Sequence, residues 1–181
     1  MLVVRYGEIV GEGCREFGFN VYGSDTGFRN VLHAERVALH YAGELAAGST
    51  LYATVEPCIE LDDSNGIVPC SRLIADAGVA RVVIGILDPN PAINGRGAEY
   101  LRSSGIEVCT IGGFEGMIQP LIDVDPRKRW RHARRDWRQS VTHTGKNARA
   151  SARILREMRE ATLSDEMTNE MRDDMMGEYP A

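Results

Sequence analysis

No run of about 18 apolar residues, the length a membrane-spanning helix needs, occurs anywhere in the 181-residue chain. The opening residues MLVVRYGEIV also lack the basic-then-apolar order of an export signal, so a cytoplasmic protein with no membrane partner is expected. Cysteine is scarce: 4 residues are too few for a disulfide scaffold, and the Pro that precedes Cys58 suits a metal site better than a bridge. There is no internal repeat and no low-complexity tract, which excludes a solenoid. What is present is an apolar fraction of 43%, enough for one ordinary domain with an appendage and too little for two domains at this length.

The net charge of −5 conceals an asymmetry, with −9 over residues 1–125, +10 over 126–159 and −6 over 160–181. That change of character at Asp125-Pro126 predicts a compact domain over 1–125 and a charged helical extension over 126–181. Within the first part, β-branched residues flank Tyr6-Gly7, suggesting a strand pair or one bent strand. A helix is expected from His33 to Ala47, ended by Gly48, with Ala34, Val37, Ala38, Tyr41, Ala42 and Leu45 facing the core. A buried strand (Ser49–Val55), a helix (Cys70–Ala77), a strand (Ala80–Leu87), a helix (Ala98–Ser103) and a strand (Ile106–Ile111) follow. Such alternation predicts an α/β layered sheet.

His33-Ala34-Glu35 stands at one helix start, Pro57-Cys58 at a strand end, and Cys70 at a second helix start after eleven intervening residues. One imidazole and two thiolates suit tetrahedral zinc, and three protein ligands leave the fourth position for water. Zinc lowers the pKa of such a water from about 15.7 toward about 7. Helix N-termini favour the thiolates through unpaired N–H groups. Glu35 is the natural proton shuttle and not a ligand. Two helical positions two apart differ by about 200° around the axis, so His33 must sit at an irregular first turn for both side chains to face the metal. Taken singly, the His is an ordinary polar residue and the Glu an ordinary first-turn charge; the four residues in this order carry the signal.

These residues, with Thr54-Val55-Glu56-Pro57-Cys58, resemble the cytidine deaminase superfamily. Gly43 to Tyr52, Ile74 to Ile86 and Asp88-Pro89-Asn90-Pro91 to Gly97 resemble its riboflavin-pathway pyrimidine deaminase branch, over roughly residues 3–111. The resemblance implies a three-layer α/β/α sandwich, Zn2+ on His33, Cys58 and Cys70, proton transfer by Glu35, a nucleotide-like small-molecule substrate and self-association. Three departures stand out: the Ile59–Pro69 segment is longer and acidic where the family has a Pro-rich segment with His and Arg; Met1 opens almost directly onto the first strand, with Asn20 or Asn30 as substitutes for a missing Asn-containing loop; and the family's reductase domain has no counterpart. Asp88 and Asn90 follow a strand, where α/β folds place substrate-binding loops, or they form a turn stiffened by Pro89 and Pro91.

Residues 127–138 hold seven basic side chains and both tryptophans, Trp130 and Trp137, which suits docking of a helix on the domain or a partner subunit, or single-stranded nucleic acid. Met158, Leu163, Met167, Met171 and Met175 suggest an amphipathic packing face, and the acidic stretch 165–178 competes for the arginines. Three functions follow: a deaminase of a free aminopyrimidine or related nucleotide, a polynucleotide deaminase recruiting strands through the basic helix, and a non-catalytic zinc-stabilised module with Cys14, Cys109 or His40 as fourth ligand.

Overall fold

The computed structural model describes residues 1–14, 16–17, 31–59, 68–91, 93–122 and 149–164. Tyr6 and Gly7 both take positive φ, 51° and 78°, as the two central residues of a type I′ hairpin do. They join β1 (Leu2–Arg5) to β2 (Glu8–Glu12) as an antiparallel pair, which settles the first element as a hairpin. A short pair, β3 (Glu16–Phe17) and β4 (Val31–Leu32), precedes α1 (Ala34–Ala42). There follow β5 (Thr50–Val55), α2 (Cys70–Asp76), β6 (Arg81–Ile86), α3 (Arg96–Ser103), β7 (Glu107–Thr110) and α4 (Glu115–Ile122).

The main sheet runs β2-β1-β5-β6-β7. β5, β6 and β7 are parallel, each step crossing over through one helix, whereas β1 pairs antiparallel with β5. Side chains alternate across it. Val3, Leu51, Ala53, Val82 and Ile84 face a layer containing Ala38, Leu39, Ala42, Ile74, Ala98 and Leu101. Leu2, Val4, Tyr52 and Val83 face Ile118 of α4 and Ile154, Leu155 and Met158 of a helix spanning 149–164. Both faces are therefore covered, giving the three-layer α/β/α sandwich, and each fully buried Val, Leu, Ile or Met contributes about 1.5–3 kcal/mol.

Two glycines set the placement of α1. A Cβ at Gly11 would lie 2.3 Å from the carbonyl oxygen of Ala38, and one at Gly13 2.2 Å from that of Ala34. Only a bare backbone on β2 lets α1 approach this closely, and the N-terminus of α1 is thereby fixed against the sheet.

The helix expected from His33 to Ala47 is shorter than that. α1 stops at Gly43, whose φ of 53° breaks the helical phase, and a 3₁₀ turn over Gly43–Ala46 follows. Tyr41 and Leu45, expected in the core, are 71% and 50% exposed. Gly11 and Gly13 meet Ala34, Val37, Ala38 and Ala42 of this helix, whereas Tyr41 stays exposed. α4 was not anticipated; Gly116 and Pro120 within it are residues that disfavour a helix interior.

Of the extension, residues 149–164 are helical, with Met158 buried and Leu163 44% exposed. The boundary at 125, the 127–138 segment with Trp130 and Trp137, Met167, Met171, Met175, the acidic stretch 165–178, Asn20, Asn30 and most of the inter-cysteine segment lie outside the described residues. No helix among the described residues is long and apolar enough to cross a membrane.

Candidate metal centre

β5 delivers Glu56-Pro57-Cys58 at the carboxyl end of the parallel strands, where α/β sheets place their sites. Cys58 and Cys70 are buried, and Cys70 is the first residue of α2. The amide of Ser71 and its hydroxyl both donate to the carbonyl of Cys58, each at 3.0 Å, so the strand end is fastened to the first turn of the helix. The Cys70 amide also donates to Cys58 Sγ at 3.5 Å, the anion-favouring contact expected of a helix N-terminus.

His33 caps α1 with extended backbone, φ −71° and ψ 149°, and its side chain makes no capping bond. The ring instead reaches the cysteines: Nδ1 stands 3.6 Å from Cys58 Sγ and 3.4 Å from Cys70 Sγ. All three donor atoms lie within 4.8 Å of one another. With Zn–S of about 2.3 Å and Zn–N of about 2.05 Å, tetrahedral coordination places sulfur and nitrogen about 3.6 Å apart. The donor set thus fits zinc in both chemistry and spacing. Among the described residues the cluster comprises these three side chains; Cys14, Cys109 and His40 are not in it.

The thiols share a hydrogen bond. That bond from Cys70, joined by the His33 imidazole and opposed by burial, holds Cys58 down to about 4, and the same bond together with burial pushes Cys70 up. A metal bound here would take both sulfurs as thiolates, so its binding would release protons.

Glu35 occupies the first turn of α1 and is buried. Burial pushes its carboxyl up, partly offset by its own backbone N–H and by His33, while Cys58 adds to the rise. A buried acid with a raised pKa, electrostatically coupled to an imidazole and a thiol, has the character of a proton-exchanging group. The irregular first turn is realised: His33 precedes the helix, so it and Glu35 do not share helical phase. The Arg36 guanidinium donates to the Val68 carbonyl, linking α1 to the chain entering Cys70.

Asp88 and Asn90 lie in the loop after β6, and Asn90 is exposed. Asp88 Oδ1 accepts from the Asn90 amide at 2.8 Å, and Asn94 Nδ2 donates to the Asp88 carbonyl at 2.8 Å. The Asp88 side chain thus builds the turn itself.

Sequence reasoning passed over Glu56. Its side chain is 3% exposed and accepts from three amides: Asp88 at 3.1 Å and Gly95 at 2.8 Å on Oε2, and Ala98 at 2.9 Å on Oε1. The available signal was an acid between a buried strand and Pro57, a position where burial demands partners.

Residues 2–86 match the family described as cytidine and deoxycytidylate deaminase zinc-binding region. The chain is 43% identical over 107 residues to the riboflavin biosynthesis protein RibD of Aquifex aeolicus, covering 59% of this chain and 26% of that protein. It is 41% identical over 108 residues to the diaminohydroxyphosphoribosylamino-pyrimidine deaminase of Buchnera aphidicola from Schizaphis graminum, covering 59% of this chain and 63% of that one. A solved structure, the diaminohydroxyphosphoribosylaminopyrimidine deaminase/5-amino-6-(5-phosphoribosylamino)uracil reductase of Thermotoga maritima, is 35% identical with a TM-score of 0.50, covering 66% of this chain and 30% of that one. The chain spans about a quarter of the length of the RibD proteins it matches.

Proposed function

We propose that this cytoplasmic chain is a zinc-dependent hydrolytic deaminase of a free aminopyrimidine or related nucleotide, with water replacing the exocyclic amino group and ammonia leaving. The observation that carries the proposal is His33 Nδ1 held 3.6 Å and 3.4 Å from two buried thiols, with the buried carboxyl of Glu35 electrostatically coupled to the same cluster. In this reading His33, Cys58 and Cys70 hold the metal. When bound, zinc supplies Lewis acidity that lowers the pKa of a water.

Glu35 does the proton work. Its carboxylate takes one proton from the attacking water and gives it to the ring nitrogen beside the amino-bearing carbon, then takes the second from the hydroxyl left on that carbon and passes it to the departing amine as the carbonyl forms. The relatives named for pyrimidine deamination support an aminopyrimidine carrying a ribose phosphate as the substrate class. Asp88 and Asn90 would contact it from the loop after β6. Residues 1–125 form the deaminase unit in this proposal, and 126–181 an appendage whose helix braces the sheet. Exposed Tyr41, near the end of α1, and exposed Leu45, in the 3₁₀ turn after it, support self-association of the chain.

Ammonia release by the zinc-loaded protein, measured over aminopyrimidines, purines, their nucleotides and single-stranded oligonucleotides, tests the proposal. Release from a free pyrimidine that Glu35→Ala abolishes is the expected result. Release only from oligonucleotides, falling steeply with salt, would replace it with a strand-directed activity; release from nothing would overturn it.

A further inference from the structure

The loop between β6 and α3 is closed at its base by one carboxylate from another strand. Asp88 stands at the start of that loop, and Gly95 and Ala98 at its end and in the first turn of α3. Their three amides all donate to Glu56. α3 has no side-chain cap of its own: Gly95 is its N-cap, with φ 77°, and Glu56 supplies the missing acceptor from β5. A carboxylate at that end also complements the helix dipole.

The backbone of Glu56 is itself fixed, because its amide donates to the Ile86 carbonyl at 2.9 Å and continues the β5–β6 ladder. Pro57 then leads directly to Cys58. The fit against this corner is close: a Cβ at Gly97 would lie 2.1 Å from the Pro57 carbonyl oxygen and 3.2 Å from Glu56 Oε1. Three residues, Glu56-Pro57-Cys58, therefore connect the base of the loop to a cluster thiol through a path with little freedom.

We propose that Glu56 is a positioning residue for substrate: by holding both ends of the 88–95 loop it sets the distance between that loop and the metal centre. The proposal deepens the deaminase reading and rests on it for the statement that the loop meets substrate. Glu56 touches no reacting atom. Its removal should loosen substrate binding while leaving the metal and the proton shuttle in place.

Glu56→Gln and Glu56→Ala in the full, zinc-loaded chain test this. In the Gln variant the amide oxygen can keep the two bonds made by Oε2, and its NH2 group then faces the Ala98 N–H; the Ala variant loses all three bonds. The expected result is wild-type zinc content, kcat within about threefold, and KM raised about tenfold for Gln and further for Ala. Amide exchange read independently of turnover should speed up at Asp88, Gly95 and Ala98 and stay unchanged along β6. Unchanged KM, or kcat falling in step with lost zinc while loop exchange stays at wild-type rates, would overturn the proposal.

Should the Ala variant fail to fold, Asn94→Ala carries the test, since it removes only the bond to the Asp88 carbonyl. A smaller KM rise in the same direction supports positioning by the loop, and none overturns it. A wild-type protein inert toward every substrate would sink the deaminase reading, whereas unchanged exchange in Glu56→Gln would sink the clamp alone.

Discussion

His33 and Glu35 are separated by a single residue, yet His33 has the extended backbone of an N-cap, with ψ 149°, and Glu35 the helical backbone of the first turn. That break in geometry frees the imidazole to meet the two thiols while the carboxyl, buried beneath, stays electrostatically coupled to His33 and Cys58. The division of labour proposed for them, His33 as ligand and Glu35 as proton carrier, would follow from where the helix begins.

Glu35→Gln should retain zinc and lose ammonia release by a factor of about 10² to 10⁴, the range of a general acid–base group. Metal analysis beside turnover measures both; loss of zinc in parallel with activity would assign Glu35 to the ligand set.

The same residue makes the metal-free protein pH-sensitive. Because burial raises its carboxyl, the folded chain keeps a proton that the unfolded chain gives up above its ordinary pKa of about 4.3. The folded state then binds more protons, so this stability is fully present below about pH 4.3 and is lost as pH rises through the raised value. Melting temperatures of metal-free wild type and Glu35→Gln, taken from about pH 4 to about pH 8, should converge at the acid end and separate in favour of the variant at higher pH.

How much of this was legible beforehand differs by element. His33, Cys58 and Cys70 were readable because metal chemistry demands particular atoms in a particular order, and the buried parallel strands were readable because both their faces are covered. Leu45 misled because a regular spacing of four was extrapolated through Gly43, where the chain leaves the α-helix, and Tyr41 because it lies within α1 yet stays exposed. For Glu56 the sequence offered only the hint of an acid between a buried strand and Pro57; its partners could not be read, because they are backbone amides 32 to 42 residues away and amides leave no mark in a sequence.

Gly13→Ala should displace α1, since the new methyl would meet the Ala34 carbonyl oxygen at 2.2 Å and the Ala38 nitrogen at 2.6 Å. Overpacking of this kind costs about 1–3 kcal/mol. Because α1 begins directly after His33 and carries Glu35, zinc affinity should fall together with the urea midpoint; a midpoint shift with unaltered affinity would show that β2 moved alone.

Met158→Ala should cost about 2–4 kcal/mol by leaving a cavity against Val83 and Ile118. Urea titration reads it. A change under about 0.5 kcal/mol, the size of an ordinary surface substitution, would mean that the helix at 149–164 is not part of the cooperative fold.

Within the main sheet, β1 meets β5 across residues 2–4 and 50–52, whereas every other strand pair joins neighbours in the chain. That single distant pairing carries the largest loop-closure entropy in the sheet and is expected to set the refolding rate. His33 lies inside the closing loop and both cysteines beyond it, so the donors meet only once it has shut. Stopped-flow refolding should accordingly run at a rate indifferent to zinc concentration. Kinetically the metal is a late arrival: it captures a finished site and locks it, and the information for building that site lies in the register of two strands that never touch the ion.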